Sequence, residues 1–193
     1  MKIGILALQG DFEAHAAAIQ RACGGCKTTE VRLARDLDGL DGLVIPGGES
    51  TTMLKLMDYY SLFDPLREFG RRKPVFGTCA GSILMATEVR NPAQRSLELL
   101  DMTVERNAYG RQLDSHVARI TEHALGGEAE IEAVFIRAPI IRRVGEGGRV
   151  LAAYKGDAVL VEHGRHLTAT FHPELSGDAR VHRMFVEKVR HSS

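Results

Sequence analysis

The sequence predicts an α/β protein in three layers, with a mostly parallel sheet flanked by helices and an antiparallel extension in the second half. Two observations carry this prediction. From Lys2 to Ala86, short apolar strands alternate with helices, which is typical of a parallel sheet covered on both faces. From Leu99 onward, strand candidates follow one another closely and helices are nearly absent.

The first half alternates regularly between strands and helices. An apolar strand, Lys2–Leu8, is followed by a helix from Phe12 to about Ala22 that ends at two glycines. The predicted strands that follow are Thr28–Leu33, Gly42–Ile45 and Pro74–Phe76, and the predicted helices contain Met53 to Met57, Pro65–Arg72 and Gly81–Ala86.

The second half is predicted to be rich in strands and to close with one helix. Its strands are Leu99–Glu105, His116–Thr121, Ile131–Ile136, Val150–Tyr154, Ala158–Glu162 and Leu167–Phe171. Apolar residues in Asp178–Arg190 have the spacing of a helix that lies on the sheet. No repeat or linker interrupts the pattern, so residues 1–193 are expected to form a single domain.

Composition excludes several classes of function. The 25 Lys+Arg balance the 25 Asp+Glu, and this net charge of +0 leaves no broad positive field for nucleic acid or an anionic membrane. The run Ile3–Leu8 is too short for a signal sequence or a membrane span, so we expect a cytoplasmic protein. Three cysteines, an odd number, do not make a disulfide framework and suit a reducing compartment.

The strongest local signal is Gly77-Thr-Cys79-Ala-Gly81, between a predicted strand and a predicted helix. This G-x-C-x-G pattern has the form of a nucleophile elbow, where small neighbours allow a sharp turn that exposes the sulfur. The amides at the start of the helix can stabilise a thiolate and donate to an oxyanion. The alternative is a buried cysteine that packs as a small apolar residue.

A thiol nucleophile needs a base, and His172 in Phe171-His-Pro-Glu174 is the best placed of the eight histidines. Pro173 favours an extended conformation at His172, and in an extended chain residues i and i+2 point the same way. Glu174 can then orient the imidazole, which predicts a Cys79–His172–Glu174 triad. A surface His beside a surface Glu is the alternative.

The segment Pro46-Gly47-Gly48-Glu49-Ser50 follows a buried strand, so its amides could approach a substrate oxygen. It lacks the Lys of a Walker loop and the three glycines of a dinucleotide fingerprint, which disfavours nucleotides. The alternative is a turn with Ser50 as helix cap and Glu49 solvated.

Six segments together carry a resemblance over nearly the whole chain: Leu8–His15, Pro46–Thr51, Gly77–Gly81, Arg106–Gln112, Phe135–Pro139 and Phe171–Leu175. The sequence resembles the class I glutamine amidotransferases, whose fold is flavodoxin-like. Within them it is most similar to the glutaminase subunits of pyridoxal 5'-phosphate synthases. Arg106–Gln112 and Phe135–Pro139 are the specific part. One departure is His116-Val117, where the family pattern continues Phe-Glu.

The resemblance implies a role for each matching residue. Cys79 is the nucleophile, His172 its base and Glu174 the orienting acid, while the amides of Gly48 and Ala80 hold the oxyanion. Glutamine recognition is carried over to Gly47, Gly48, Glu49, Arg106, Ile136 and Arg137. Gln9 resembles a family residue near the oxyanion site that reports docking of the partner.

The implied reaction hydrolyses L-glutamine to L-glutamate and ammonia through a glutamyl thioester, with no metal or organic cofactor. The implied partner is the synthase (lyase) subunit of pyridoxal 5'-phosphate synthase, in a hetero-oligomer. Two other functions remain open: a cysteine hydrolase of related fold that acts on another acyl substrate, and a non-catalytic binding module.

Two sets of residues are predicted to have no part in this chemistry. Cys23 and Cys26 follow a helix instead of opening one and have no second cysteine pair, so a plain turn at the helix end is expected. The scattered histidines are expected to be solvated: His15, His123, His163, His166, His182 and His191.

Overall fold

The computed structural model describes residues 1–107, 115–127 and 130–192. Its helices are α1 (Phe12–Ala22), α2 (Ser50–Tyr59), α3 (Phe63–Arg72), α4 (Ala80–Met85) and α5 (Arg180–His191), with short 3-10 helices at Ala34–Leu37 and Pro173–Leu175. Its strands are β1 (Lys2–Leu6), β2 (Lys27–Val31), β3 (Gly42–Ile45), β4 (Val75–Thr78), β5 (Ala86–Arg90), β6 (Leu100–Glu105), β7 (His116–Ile120), β8 (Ile131–Phe135), β9 (Ile140–Val144), β10 (Gly148–Tyr154), β11 (Asp157–His163) and β12 (His166–Ala169).

The main sheet has the strand order β2-β1-β3-β4-β12-β11-β9-β6-β5, and β10 pairs with β11. Its first five strands are all parallel neighbours. The carboxyl ends of β1, β3, β4 and β12 therefore meet at one edge, the usual place for a site in an open α/β sheet.

The rest of the main sheet is mostly antiparallel. Strand β11 runs against β12, β9 and β10, and β9 runs against β6. Strands β7 and β8 form a separate antiparallel pair. The predicted antiparallel extension in the second half of the chain is confirmed.

Both faces of the main sheet are covered. On one face α2, α3 and α4 bury side chains such as Met53, Leu66 and Leu84. On the other, α1, α5 and the β7–β8 pair bury residues that include Ile19 and Phe185. The three-layer arrangement is the predicted one. Among the described residues, no helix combines the length and apolar character needed to cross a bilayer.

Two strands were not predicted. Strand β5 has five residues, of which only the first and the fourth are buried. It begins at Ala86, the last residue of the predicted helix Gly81–Ala86. Strand β9 has the sequence IIRRV, without alternation. It is held instead by pairing with β6 and β11 and by ion pairs from Arg142 to Glu105 and from Arg143 to Asp101.

The turn that ends α1 carries a disulfide between Cys23 and Cys26. The predicted helix end is present, but the expectation of a plain turn is wrong. The Cα atoms of the two cysteines are 5.6 Å apart, which is within the range that a disulfide spans. Cys79 is the free cysteine.

Candidate active site

Cys79 lies between β4 and α4, where the chain turns sharply. Its φ of 48° and ψ of −105° belong to a region that residues other than glycine rarely adopt. The flanking glycines allow the turn. A Cβ on Gly77 would lie 2.7 Å from the Gly81 carbonyl, and one on Gly81 would overlap the carbonyl oxygen of Ile45. The structure thus has the strand-turn-helix context that the G-x-C-x-G pattern requires.

His172 follows β12, the neighbour of β4 in the sheet, so it reaches the same edge as Cys79. Its amide donates to the carbonyl of Val134 at 2.8 Å. Its Nδ1 lies 2.7 Å from Oε1 of Glu174. The two side chains meet through a 3-10 turn, Pro173–Leu175. The predicted extended geometry is wrong here, because proline also suits the first position of a helical turn.

The charge of His172 is set by its two partners. Burial lowers the pKa of the ring, but hydrogen bonds and charge interactions with Cys79 and Glu174 outweigh burial and raise the pKa to about 10. The ring is therefore an imidazolium at neutral pH, and its Nδ1–H donates to Glu174. An imidazolium beside the sulfur can stabilise negative charge that develops on a cysteine nucleophile during a reaction.

Gly47 lies against both Cys79 and His172. A Cβ at position 47 would overlap the ring carbon Cε1 of His172 and would lie 3.3 Å from Cβ of Cys79. The next residue, Gly48, has a φ of +149°, which favours glycine. These two positions let the loop after β3 run close to the sulfur without a side chain in between.

Glu49 is the N-cap of α2, and the alternative with Ser50 as cap is wrong. The Glu49 carboxylate accepts hydrogen bonds from the amides of Thr51 at 3.0 Å and Thr52 at 2.7 Å. Burial raises the pKa of this carboxyl, but the hydrogen bonds from Thr52 and Thr51 outweigh it and lower the pKa to about 2. Glu49 is thus anionic at the cavity, and its own amide donates to Oε1 of Gln9 at 3.1 Å.

Three further predicted residues come from the second half of the chain. Arg106 follows β6 and donates to Thr51 Oγ1 at 2.8 Å, with Glu49 Oε1 3.4 Å away. The carbonyl of Ile136 lies 3.8 Å from the sulfur of Cys79. Arg137 is exposed and has a φ of 45°, a strained backbone for a residue with a Cβ.

One cavity of about 460 Å³ brings the predicted residues together. Glu174 alone of the predicted set does not line it and lies behind His172. Six further residues line the cavity and were not predicted from the sequence: Gly10, Asp11, Ser50, Ile83, Asn107 and Leu175.

The described ranges contain no group of three or more His, Cys, Asp or Glu that could hold a metal ion. Residues 108–112 of the motif Arg106–Gln112 lie outside the described residues.

The prediction that the scattered histidines are solvated is wrong for three of them. His15 and His182 are 0% exposed and His166 is 8% exposed. His15 lies directly behind Glu174, with its Nε2 3.3 Å from Oε2 of that carboxylate. A signal was present in the sequence, since His15 precedes the buried Ala18 and Ile19 by three and four positions on one helix face.

Comparison with known proteins gives consistent matches. Residues 5–191 match the SNO glutamine amidotransferase family. Pyridoxal 5'-phosphate synthase subunit PdxT of Solibacter usitatus is 58% identical over 192 residues, which cover 97% of this chain and 99% of the relative. The PdxT subunit of Koribacter versatilis is 51% identical over 193 residues, covering 100% of this chain and 98% of the relative.

Solved structures agree with these matches. A crystal structure of a glutamine amidotransferase is 44% identical and has a TM-score of 0.88, covering 97% of this chain and 98% of that one. PurLQS from Thermotoga maritima is 12% identical, with a TM-score of 0.65 over 100% of this chain and 99% of that one, and supports the fold alone.

Proposed function

This chain belongs to the SNO glutamine amidotransferase family, and on that premise we propose that it hydrolyses L-glutamine to L-glutamate and ammonia. It is the glutaminase subunit that supplies ammonia to a pyridoxal 5'-phosphate synthase, the assembly for which its relatives are named. The observation that carries the proposal is the free thiol of Cys79 beside an imidazolium that Glu174 holds at 2.7 Å. The whole chain acts as one amidotransferase domain.

In the first step, the Cys79 thiolate attacks the side-chain carbonyl carbon of glutamine. The carbonyl oxygen becomes an oxyanion, to which the amides of Gly48 and Ala80 donate. Ala80 is the first residue of α4, so the helix's own carbonyls cannot satisfy its amide. One such donor is worth about 10²–10³-fold in rate. His172 protonates the departing nitrogen, which leaves as ammonia, and a glutamyl thioester remains on Cys79.

In the second step, the now neutral His172 takes a proton from water. The resulting hydroxide attacks the thioester carbon, glutamate leaves, and Cys79 returns to the thiolate beside an imidazolium. Glu174 keeps the ring in the orientation and tautomer that both proton transfers need. Acid–base help of this kind contributes about 10²–10⁴-fold.

Free glutamine carries an ammonium and a carboxylate, and the cavity offers charges of both signs. Glu49 is anionic and lines the cavity with Arg106 and Arg137. The carboxylate of glutamine is proposed to meet the arginines, and its ammonium to meet Glu49. The Gly47-Gly48 segment and Ile136 line the same cavity as Cys79 and are proposed to surround the reacting amide.

The proposed partner is the synthase subunit, in a hetero-oligomer. Ammonia released into bulk water at neutral pH is protonated and loses its nucleophilicity, so its use requires a nearby acceptor site. The relatives' designation as a subunit supports this association.

The experiment measures ammonia release from glutamine with and without the synthase subunit. We expect release to be stimulated by the partner, and Cys79→Ser to lower the rate by about 10⁴-fold or more. The double variant Cys23→Ser/Cys26→Ser is the control and keeps the rate, because it leaves the Cys79 thiol in place. An undiminished rate in Cys79→Ser would refute the proposal.

A further inference from the structure

Two buried histidines connect α1 and α5 behind the proposed triad. His15 on α1 and His182 on α5 are both 0% exposed. Nδ1 of His15 lies 3.1 Å from Nε2 of His182. On the other side of the His15 ring, Nε2 lies 3.1 Å from Thr78 Oγ1 and 3.3 Å from Glu174 Oε2. His15 therefore bridges a second histidine and the carboxylate that holds His172.

The atom of Glu174 that faces His15 is otherwise unsatisfied. Oε1 of Glu174 accepts a hydrogen bond from His172, while Oε2 is buried and has no hydrogen-bond partner within the described part of the chain. A buried carboxylate oxygen without a donor is costly. Nε2 of His15 lies 3.3 Å from this oxygen, within donor–acceptor distance, and also 3.1 Å from Thr78 Oγ1, with which it forms a hydrogen bond.

The arrangement selects one tautomer for each ring. If the proton of His15 is on Nε2, it points toward Glu174 and Thr78, and Nδ1 accepts from His182 Nε2–H. Only Nδ1 of His182, an acceptor, then lacks a partner among the described residues. In the reverse tautomers a lone pair of His15 would face the carboxylate, and a buried N–H of His182 would have no acceptor. Orphaned buried N–H groups are the rarer case in proteins.

Burial also keeps both rings neutral. Burial, and unfavourable interaction with a positive charge on His182 or His172, lower the pKa of His15 well below its ordinary value. Burial and the charge of Arg21 lower the pKa of His182 to about 3. His172 is thus the single cation of this group at neutral pH, and no second charge competes with it for Glu174.

We propose that His15 is a positioning residue of the glutaminase site: its neutral ring donates Nε2–H to Glu174 Oε2 and so directs Oε1 at His172. His182 fixes the tautomer of His15 from behind by donating to Nδ1. This inference rests on the proposed function, because the effect it predicts is an effect on hydrolysis of glutamine. His15 acts through Glu174 and His172 and touches no substrate.

The kinetic test compares two substitutions in the presence of the synthase subunit. His15→Leu removes the donor at similar size, and we expect kcat to fall about 10–100-fold with KM for glutamine changed less than about 3-fold, as for other residues that orient an active imidazole. His15→Gln replaces Nε2–H with an amide N–H and is expected to restore kcat to within about 5-fold of wild type.

A matched control separates positioning from stability. His166 is also buried and binds the Val75 amide through Nδ1 at 3.2 Å, but it stands at the opposite end of β12 from His172. His166→Leu is expected to lower Tm and to leave kcat unchanged. Equal kcat in folded His15→Leu and wild type, or equal loss in His15→Leu and His15→Gln, would overturn the inference. An inactive wild type would instead refute the proposed function.

A measurement on the unmodified protein keeps the inference testable if His15→Leu does not fold. Nitrogen-15 NMR of histidine-labelled protein at pH 7 distinguishes the two neutral tautomers and the cation. We expect His15, assigned by its loss in His15→Gln, to be neutral with the proton on Nε2. A proton on Nδ1, or a cationic ring, would overturn the proposal.

Discussion

Glu174 accepts a hydrogen bond from the imidazole of His172, with 2.7 Å between Oε1 and Nδ1. The contact joins residues two apart in the sequence, and both residues are buried in the fold. Nδ1 of the ring is therefore the nitrogen that is bound to the carboxylate. The opposite nitrogen, Nε2, is therefore the one available for the proton transfers of the proposed reaction.

Replacing that carboxylate with an amide tests the contact. In Glu174→Gln the side chain cannot carry the charge that stabilises an imidazolium, and we expect kcat for glutamine to fall about 10²–10⁴-fold. Steady-state ammonia release in the presence of the synthase subunit measures it. Glu187→Gln, at a half-buried residue of α5 that pairs with Arg190, is the control. A change below about threefold at Glu174 would contradict the assigned role.

A methyl group at position 47 should displace the His172 ring. A Cβ on Gly47 would overlap Cε1 of His172. Gly47→Ala is therefore expected to lower kcat by about 10²-fold, which is the size of effect expected when general acid–base catalysis is lost. Iodoacetamide labelling of Cys79 should slow in parallel. Gly24→Ala is the control, since nothing lies within 4 Å of its Cβ. Equal labelling rates in both variants would argue against the close packing.

Arg106 should affect substrate affinity more than turnover. It lines the cavity beside Glu49, and a charge-assisted hydrogen bond to the substrate carboxylate is worth about 1.5–3 kcal/mol. Arg106→Leu is therefore expected to raise KM for glutamine about 10–100-fold, with kcat changed much less. Arg32→Leu, at an exposed ion pair with Glu30, provides the comparison. An unchanged KM at Arg106 would remove it from the binding site.

Acid should destabilise the protein through its buried histidines. Burial and the charge of Arg165 lower the pKa of His166 to about 4, below the value of about 6.5 in an unfolded chain. The unfolded state then binds more protons, so this contribution is fully present above pH about 6.5 and is lost as pH falls toward 4. The loss from His166 alone is of the order of 3 kcal/mol.

Urea unfolding between pH 7 and pH 4.5 measures this effect. The free energy of unfolding should fall less steeply with acid in His166→Gln, which cannot take up a proton, than in wild type. His191→Gln, at an exposed residue of α5, should keep the wild-type slope. Identical slopes in His166→Gln and wild type would show that His166 does not titrate as described.

Much of the fold could be predicted because its signals are local. The apolar run of β3 and the glycines around Cys79 specify a buried strand and a sharp turn within a few residues of sequence. The arginine-rich strand β9 could not be predicted, since its stability comes from two neighbouring strands far along the chain. Because its sequence IIRRV contains two consecutive arginines and does not alternate, β9 was not predicted to be a strand.

The same limit applies at the candidate site. The glycine pattern around Cys79 and the motif Phe171-His-Pro-Glu174 predicted which residues meet, whereas the Glu49 cap depends on how the chain enters α2. The spacing of His15 from Ala18 and Ile19 on one helix face indicated its burial. The partners of His15 could not be predicted in this way, because they depend on the packing of α1 on α5 and against the turn that carries Glu174.

The most direct test of the account looks for the covalent intermediate. The complete chain with its synthase subunit is mixed with isotope-labelled glutamine, quenched in acid within milliseconds, and digested for mass spectrometry. The account predicts a labelled glutamyl group on the peptide that contains Cys79, and none in Cys79→Ser or on the peptide with Cys23 and Cys26. Ammonia release at the full rate with no label on Cys79 at any quench time would contradict it.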